Sequence, residues 1–441
     1  MMPAKIRGAL AIVLAVMTAA AIDRPAPAGA GDEVTRERLD NGFTVLVREN
    51  PLAPVVAVAL LVRMGSRWER AENAGISNFL HAVMVKGTAR RSGSDLAEAV
   101  AALGGKLTAS GEVDYSGVQA SALARFWREL LGLTAELALS PKLDPAEVAG
   151  ERDWLLSRIQ RQRDNAAART FDELYAAVYG FHPYGLPTLG RPESLKRIDH
   201  AAIVAWYREF YRPERMVLAV SGQVRAAEVV AEARRLFGGL PRGGVVAEPR
   251  NPTAASGARR LVIEHPAQQA QIAAGALAPS LADPDHAAVK VLATVLGGGM
   301  AGRLFAELRD KEALAYTANA YYEPVREPGM LVLYLGTAPE NVARAEPALQ
   351  REIERARTQP VSADELRRAQ GFLLGNYAMD RRTNARQAWY LAFYEIEGVG
   401  GDFPERYRAA VQAVTAADVM RVAQRYLAAP TILILRPPAR R

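Results

Sequence analysis

The sequence predicts an α+β fold of two homologous domains, each an antiparallel-rich sheet packed with helices. Three observations predict it. The chain has 441 residues, more than one hydrophobic core ordinarily organises. A unit of amphipathic helix followed by apolar strand occurs at Ile198 to Gly222 and again at Val414 to Pro437, with Asp199 and Thr415 placed to cap the helices. Within each half, strands separated by turns are followed by long helices, which favours layered α+β domains over a doubly wound parallel sheet.

The elements follow in order. Residues 1–30 read as a signal peptide: Lys5 and Arg7 precede the apolar run Gly8 to Ile22, and Ala28-Gly29-Ala30 offers small residues for cleavage. The apolar run is shorter than the ~20 residues of a spanning helix, so a retained anchor is the lesser alternative. The expected location is periplasmic or secreted, with no stable membrane insertion after cleavage. With no Cys in the chain, disulfides, thiolate metal sites and a lipoprotein anchor are excluded. An N-terminal domain is expected over 31–236. It opens with FTVLVREN and VVAVALLVRM, separated by a Pro-containing turn and read as one strand pair. A second repeat joins Leu143 onward to Val361 onward, each a capped long helix. Phe237 to Arg260, rich in Gly and Pro, is the expected linker. The C-terminal domain, 261–441, opens with RRLVIEH and QAQIAAGAL, read in the same way as FTVLVREN and VVAVALLVRM.

The formal charge is +7, but Arg is dispersed beside Glu and Asp along amphipathic helices such as GERDWLLSRIQRQRD and LQREIERARTQ. Such runs are solvated faces, and no basic-aromatic motif accompanies them, so nucleic acid is not an expected partner.

The stretch that carries function is GISNFLHAVMVKGT, Gly75 to Thr88. A helix reading His-x-x-Glu-His places two imidazoles on one face to hold zinc, with Glu as general base. This segment resembles that motif as it stands in the M16 (pitrilysin/insulinase, mitochondrial-processing-peptidase-like) zinc peptidases. Gly75, Ile76, Phe79, Leu80, Lys86, Gly87 and Thr88 match, but Asn78 stands at the first His, His81 at the Glu and Ala82 at the second His. The family's third ligand, a Glu on a later helix, corresponds to Arg158 within ERDWLLSRI, with Glu151 kept upstream. A guanidinium carries a fixed charge and offers no lone pair. The chain has only five His, none spaced i,i+4, so no displaced site is evident. No metal ligand and no catalytic residue is therefore expected in this chain.

Other family features remain. LGGGMAGRLFAELRDKEALAY, Leu296 to Tyr316, is similar to the segment that supplies an Arg and a Tyr to the substrate backbone. The resemblance assigns those roles to Arg309 and Tyr316, with Ala313 where the family often has Gly. Taken alone, Arg309 and Tyr316 read rather as a helix-surface cation and a core aromatic with a satisfied hydroxyl. GGKLTASGEVDYS, Gly104 to Ser116, resembles the edge strand to which substrate peptides add, with Thr108 in place of Asn and Ala109 kept. The resemblance implies a non-catalytic, substrate-binding subunit of a heterodimeric peptidase. Its partner would carry the intact motif and the zinc, and a peptide would be the substrate. A scaffold without a role in turnover, and a self-sufficient metalloendopeptidase with an atypical site, are the alternatives.

Overall fold

A computed structural model describes residues 33–244, 246–249 and 258–438. The signal-peptide reading of residues 1–30 and part of the 237–260 linker lie outside the described residues. The first half runs β1 (Val34–Arg38), β2 (Thr44–Glu49), β3 (Val55–Val62), α1 (Ile76–Met84), α2 (Gly93–Ala102), β4 (Lys106–Gly111), β5 (Ser116–Leu123), α3 (Trp127–Leu139), α4 (Pro145–Asp164), α5 (Ala166–Tyr179), α6 (Pro192–Arg197), α7 (His200–Phe210), β6 (Met216–Gly222) and α8 (Ala226–Phe237). The second half runs β7 (Arg260–Glu264), β8 (Ala270–Ala278), α9 (His286–Gly297), a π-helical segment (Leu304–Lys311), β9 (Thr317–Glu323), β10 (Gly329–Thr337), α10 (Val342–Thr358), α11 (Ala363–Asp380), α12 (Asn384–Glu397), α13 (Phe403–Ala413), α14 (Ala416–Tyr426) and β11 (Thr431–Arg436).

The strands form two mixed sheets, ordered β1-β2-β6-β3-β5-β4 and β7-β11-β8-β10-β9. Only β2–β6 and β7–β11 are parallel. The sequence expectation that β2 pairs with β3, and β7 with β8, is corrected here. The last strand of each half inserts between them: β6 lies parallel to β2, with Thr44 opposite Val217, and antiparallel to β3, with Val56 opposite Gly222. The reason is burial. Every residue of β6 is buried, so it needs a partner on each edge and a cover on each face. The repeat is real in three dimensions. Asp199 caps α7 by accepting from Ala202 N at 2.8 Å, and Thr415 caps α14 in a reciprocal box with Asp418. Asp144 and Ser362 cap α4 and α11 in the same way.

Each sheet is covered on one face by helices of its own half and on the other by a helix borrowed from the opposite half. Along β3, Val56, Val58, Leu60 and Val62 face the first-half core, while Ala57, Ala59 and Leu61 meet Ala388, Ala392 and Ile396 of α12. Along β10, Leu331, Leu333 and Leu335 face the second-half core, while Met330 and Val332 meet Leu174 and Val178 of α5. Alternate residues therefore serve different halves of the chain. Small side chains allow the approach: a Cβ on Gly275 of β8 would lie 3.0 Å from Leu174 atoms.

Polar groups close the seam. Asn384 donates to Val55 O at 3.1 Å, Arg67 pairs with Glu327 at 2.6 Å, and Tyr184 donates to Asp114 at 2.6 Å. Near them burial, and next the Asp114 carboxylate, push the Glu397 carboxyl up to about 8.

Leu174→Ala removes a side chain that belongs to the first half and packs on the second. It should cost about 2–5 kcal/mol in urea denaturation, with both halves still unfolding in one transition. Two separated transitions would show that the exchange of helices does not couple them.

Candidate functional site

The candidate site is built on the N-terminus of α1. Gly75 takes φ +90 and lies so close to Gly190 that a Cβ would fall 2.6 Å from its Cα. The buried Glu69 carboxylate accepts from Gly75 N at 2.7 Å and Ser77 N at 2.9 Å, holding the first turn of the helix. Burial raises the Glu69 pKa to about 6 against the pull of those N–H groups.

From this start, Asn78 and Ala82, four residues apart, open on a cleft of about 900 Å³. Arg158 and Trp154 of α4 line the same cleft, with Ala109, Ser110 and Gly111 of β4. The Arg158 guanidinium lies over the Trp154 ring at 5.4 Å, and Lys86 pairs with Glu151 at 2.9 Å. Three of the four degenerate positions are thus brought together.

His81 is not among them. It is fully buried, with Nδ1 2.7 Å from Ser77 O and Nε2 2.8 Å from the Tyr211 hydroxyl. Ser77 O only accepts, so Nδ1 carries the proton and Nε2 accepts from Tyr211. Burial lowers the His81 pKa to about 4, leaving a neutral structural imidazole.

The donor set does not fit zinc. The cleft offers an amide, a methyl group and a guanidinium at the ligand positions, and Glu151 is held by Lys86. Among the described residues no group of three His, Cys, Asp or Glu could hold a metal ion.

β4 is an edge strand, as expected, because among the described residues its only partner is β5. Ala109 lines the cleft, whereas Thr108 is exposed and lies on the other face by strand alternation. Arg309 and Tyr316 stand elsewhere. Arg309 is exposed on the π-helical segment, its guanidinium 4.5 Å over the Phe305 ring. Tyr316 is 60% exposed and donates its backbone N–H to Gly336 O at 2.8 Å, at the start of edge strand β9. No cleft-lining residue comes from this segment. Between the two, Ala313 takes φ +51, a left-handed conformation that glycine adopts without the steric cost of a Cβ.

Sequence reading missed Trp154 and the Lys86–Glu151 pair. Trp154 carried a signal, since it lies four residues before Arg158 on one helix face. The ion pair carried none, because its members are far apart in the chain.

Neutral His81 contributes stability that is present above its ordinary value of 6.5 and lost as pH falls toward 4, because only the unfolded chain takes up the proton there. His81→Leu should flatten the pH–stability curve in that window and cost about 1–3 kcal/mol at pH 7 by leaving the Tyr211 hydroxyl unpaired. Ala313→Gly should raise stability by roughly 0.5–1 kcal/mol; a lower melting temperature would contradict the left-handed assignment.

The comparisons with known proteins agree with this fold. Residues 44–192 match the family profile described as Insulinase (Peptidase family M16), and residues 197–373 match Peptidase M16 inactive domain. An uncharacterized zinc protease of Mycobacterium leprae is 31% identical over 78% of this chain and 78% of its own. One from Rickettsia bellii is 27% identical over 88% of this chain and 93% of its own. Among solved structures, a protease from Helicobacter pylori superposes with a TM-score of 0.86 at 22% identity, over 92% of this chain and all (100%) of that one. A peptidase M16 inactive domain from Pseudomonas fluorescens gives 0.86 at 23% identity, over 92% of this chain and 99% of that one. At such identities the two structures speak for the fold alone.

Proposed function

The chain belongs to the M16 peptidase family, and from that premise we propose that it is the non-catalytic, substrate-binding subunit of a two-chain zinc metallopeptidase. The observation that carries this reading is a division within one molecule. Asn78, Ala82 and Arg158 offer no zinc ligand, while Arg309 and Tyr316 are solvent-facing and lie outside the cleft those three line. In this reading the zinc and the intact His-x-x-Glu-His belong to a partner M16 subunit. Arg309 and Tyr316 then hydrogen-bond the backbone of a peptide held over the partner's metal, and β4, with Thr108 and Ala109, offers a second edge for peptide pairing. Binding energy spent on orienting the scissile bond appears in kcat as well as KM. The signal-like start of the sequence supports a periplasmic or secreted complex.

The test uses the assembled complex, obtained by capturing the tagged chain from its native host. Recovery of a homologue with intact His-x-x-Glu-His is expected. Arg309→Ala together with Tyr316→Ala should lower kcat/KM for a peptide substrate by about 10- to 100-fold, the loss of one or two hydrogen bonds to substrate. Unchanged kinetics in a properly assembled complex would leave the chain a scaffold.

A further inference from the structure

The cleft at Asn78, Ala82 and Arg158 borders the edge strand, and its chemistry points to a ligand of its own. Among the described residues Arg158 has no acidic partner; its guanidinium rests on the Trp154 ring at 5.4 Å. The acids around it are otherwise engaged. Glu151 pairs with Lys86 at 2.9 Å, and Asp172 accepts from Gln162 Nε2 at 3.1 Å. Glu112 is held above the usual carboxylate range by burial and is hydrogen-bonded by Ser110. Glu147 sits in the first turn of α4, where the helix dipole favours an anion. That leaves Arg158 as the cation of the cleft still open to an anion.

A second observation is independent of charge. Asn78 Nδ2 is buried and has no hydrogen-bond partner in the structure. Such a donor is destabilising until the amide turns toward an acceptor. The third is placement. Gly111, the last residue of β4, lies so close to α1 that a Cβ there would be 2.6 Å from Asn78 N. The end of β4 therefore abuts the start of α1, and both line the one cleft.

We propose that this cleft is a carboxylate subsite: a peptide pairs with the β4 edge, and a carboxylate at or near its end is held by Arg158 and Asn78 Nδ2, with the adjoining side chain on Trp154. A planar guanidinium and an amide N–H are matched donors for the oxygens of such a group. The inference rests on the peptide-binding reading above and deepens it. It makes this chain a holder of peptide ends, either a free C-terminus or an acidic side chain.

The test is calorimetric titration of the full mature chain with three short peptides of one otherwise uncharged sequence. One has a free C-terminus, one a C-terminal amide, and one the amide with Glu as its penultimate residue. At low salt, at least one carboxylate-bearing peptide should bind about tenfold or more tightly than the plain amide, the worth of one charge-assisted hydrogen bond. Which one does so names the source of the carboxylate. Arg158→Gln should abolish the preference for the carboxylate-bearing peptide; because Arg158 is exposed, the variant's melting temperature should match the parent's. Equal binding of all three, or a preference that survives Arg158→Gln, overturns the subsite and leaves peptide binding standing. Failure of every peptide to bind overturns both.

Discussion

Everything in this molecule depends on the reciprocal loan of one helix. A sheet with two apolar faces needs two covers, and neither half supplies both. α12 lies on the first sheet through Ala388, Ala392 and Ile396, and α5 lies on the second through Leu174 and Val178. The central strands are apolar at nearly every position because consecutive residues answer to different halves. The same closure removes water from charged groups along the seam, and several come matched: Arg67 with Glu327, Tyr184 with Asp114, and His182 with Glu327 at 2.7 Å.

The α+β class, the duplication and the helix caps were legible in the sequence, because each rests on local periodicity or a local hydrogen bond; the edge position of β4 was legible only through the resemblance of Gly104 to Ser116 to a family strand. The strand order was not. Pairing β6 between β2 and β3 is a contact between segments far apart in the chain, and an apolar run reads alike whether its neighbour precedes or follows it. The helix loan was hidden for the same reason, since a strand buried by its own helices and one buried by a borrowed helix have the same composition. His81 shows the limit within a single turn. It lies three residues from Asn78, close enough in helical angle to share its face, and only Tyr211 of the distant chain after α7 reveals that it points inward.

At the site, shape and chemistry have separated. Glu69 still holds the first turn of α1, Gly75 still abuts Gly190, and Gly111 still presses on the backbone of Asn78. These contacts are made by backbone and by a capping carboxylate, none of which is a metal ligand. The side chains of Asn78, Ala82 and Arg158 take no part in that frame, so the shape of the cleft and its chemistry are set independently.

The four sheet edges also differ among themselves. β1 carries Arg36, Glu37 and Arg38, and β7 begins with Arg260 and ends with Glu264. Such charges discourage a stray strand. β4 between Lys106 and Gly111 reads Leu-Thr-Ala-Ser, and β9 is uncharged until Glu323. The two edges nearest the residues assigned to substrate are thus the least defended. Any extended chain of suitable length, including an unfolded stretch of another copy, meets the same open backbone there. Receptiveness and a tendency to self-associate have one physical origin in this fold, and a binding partner that occupies those edges would also serve to keep the protein in solution.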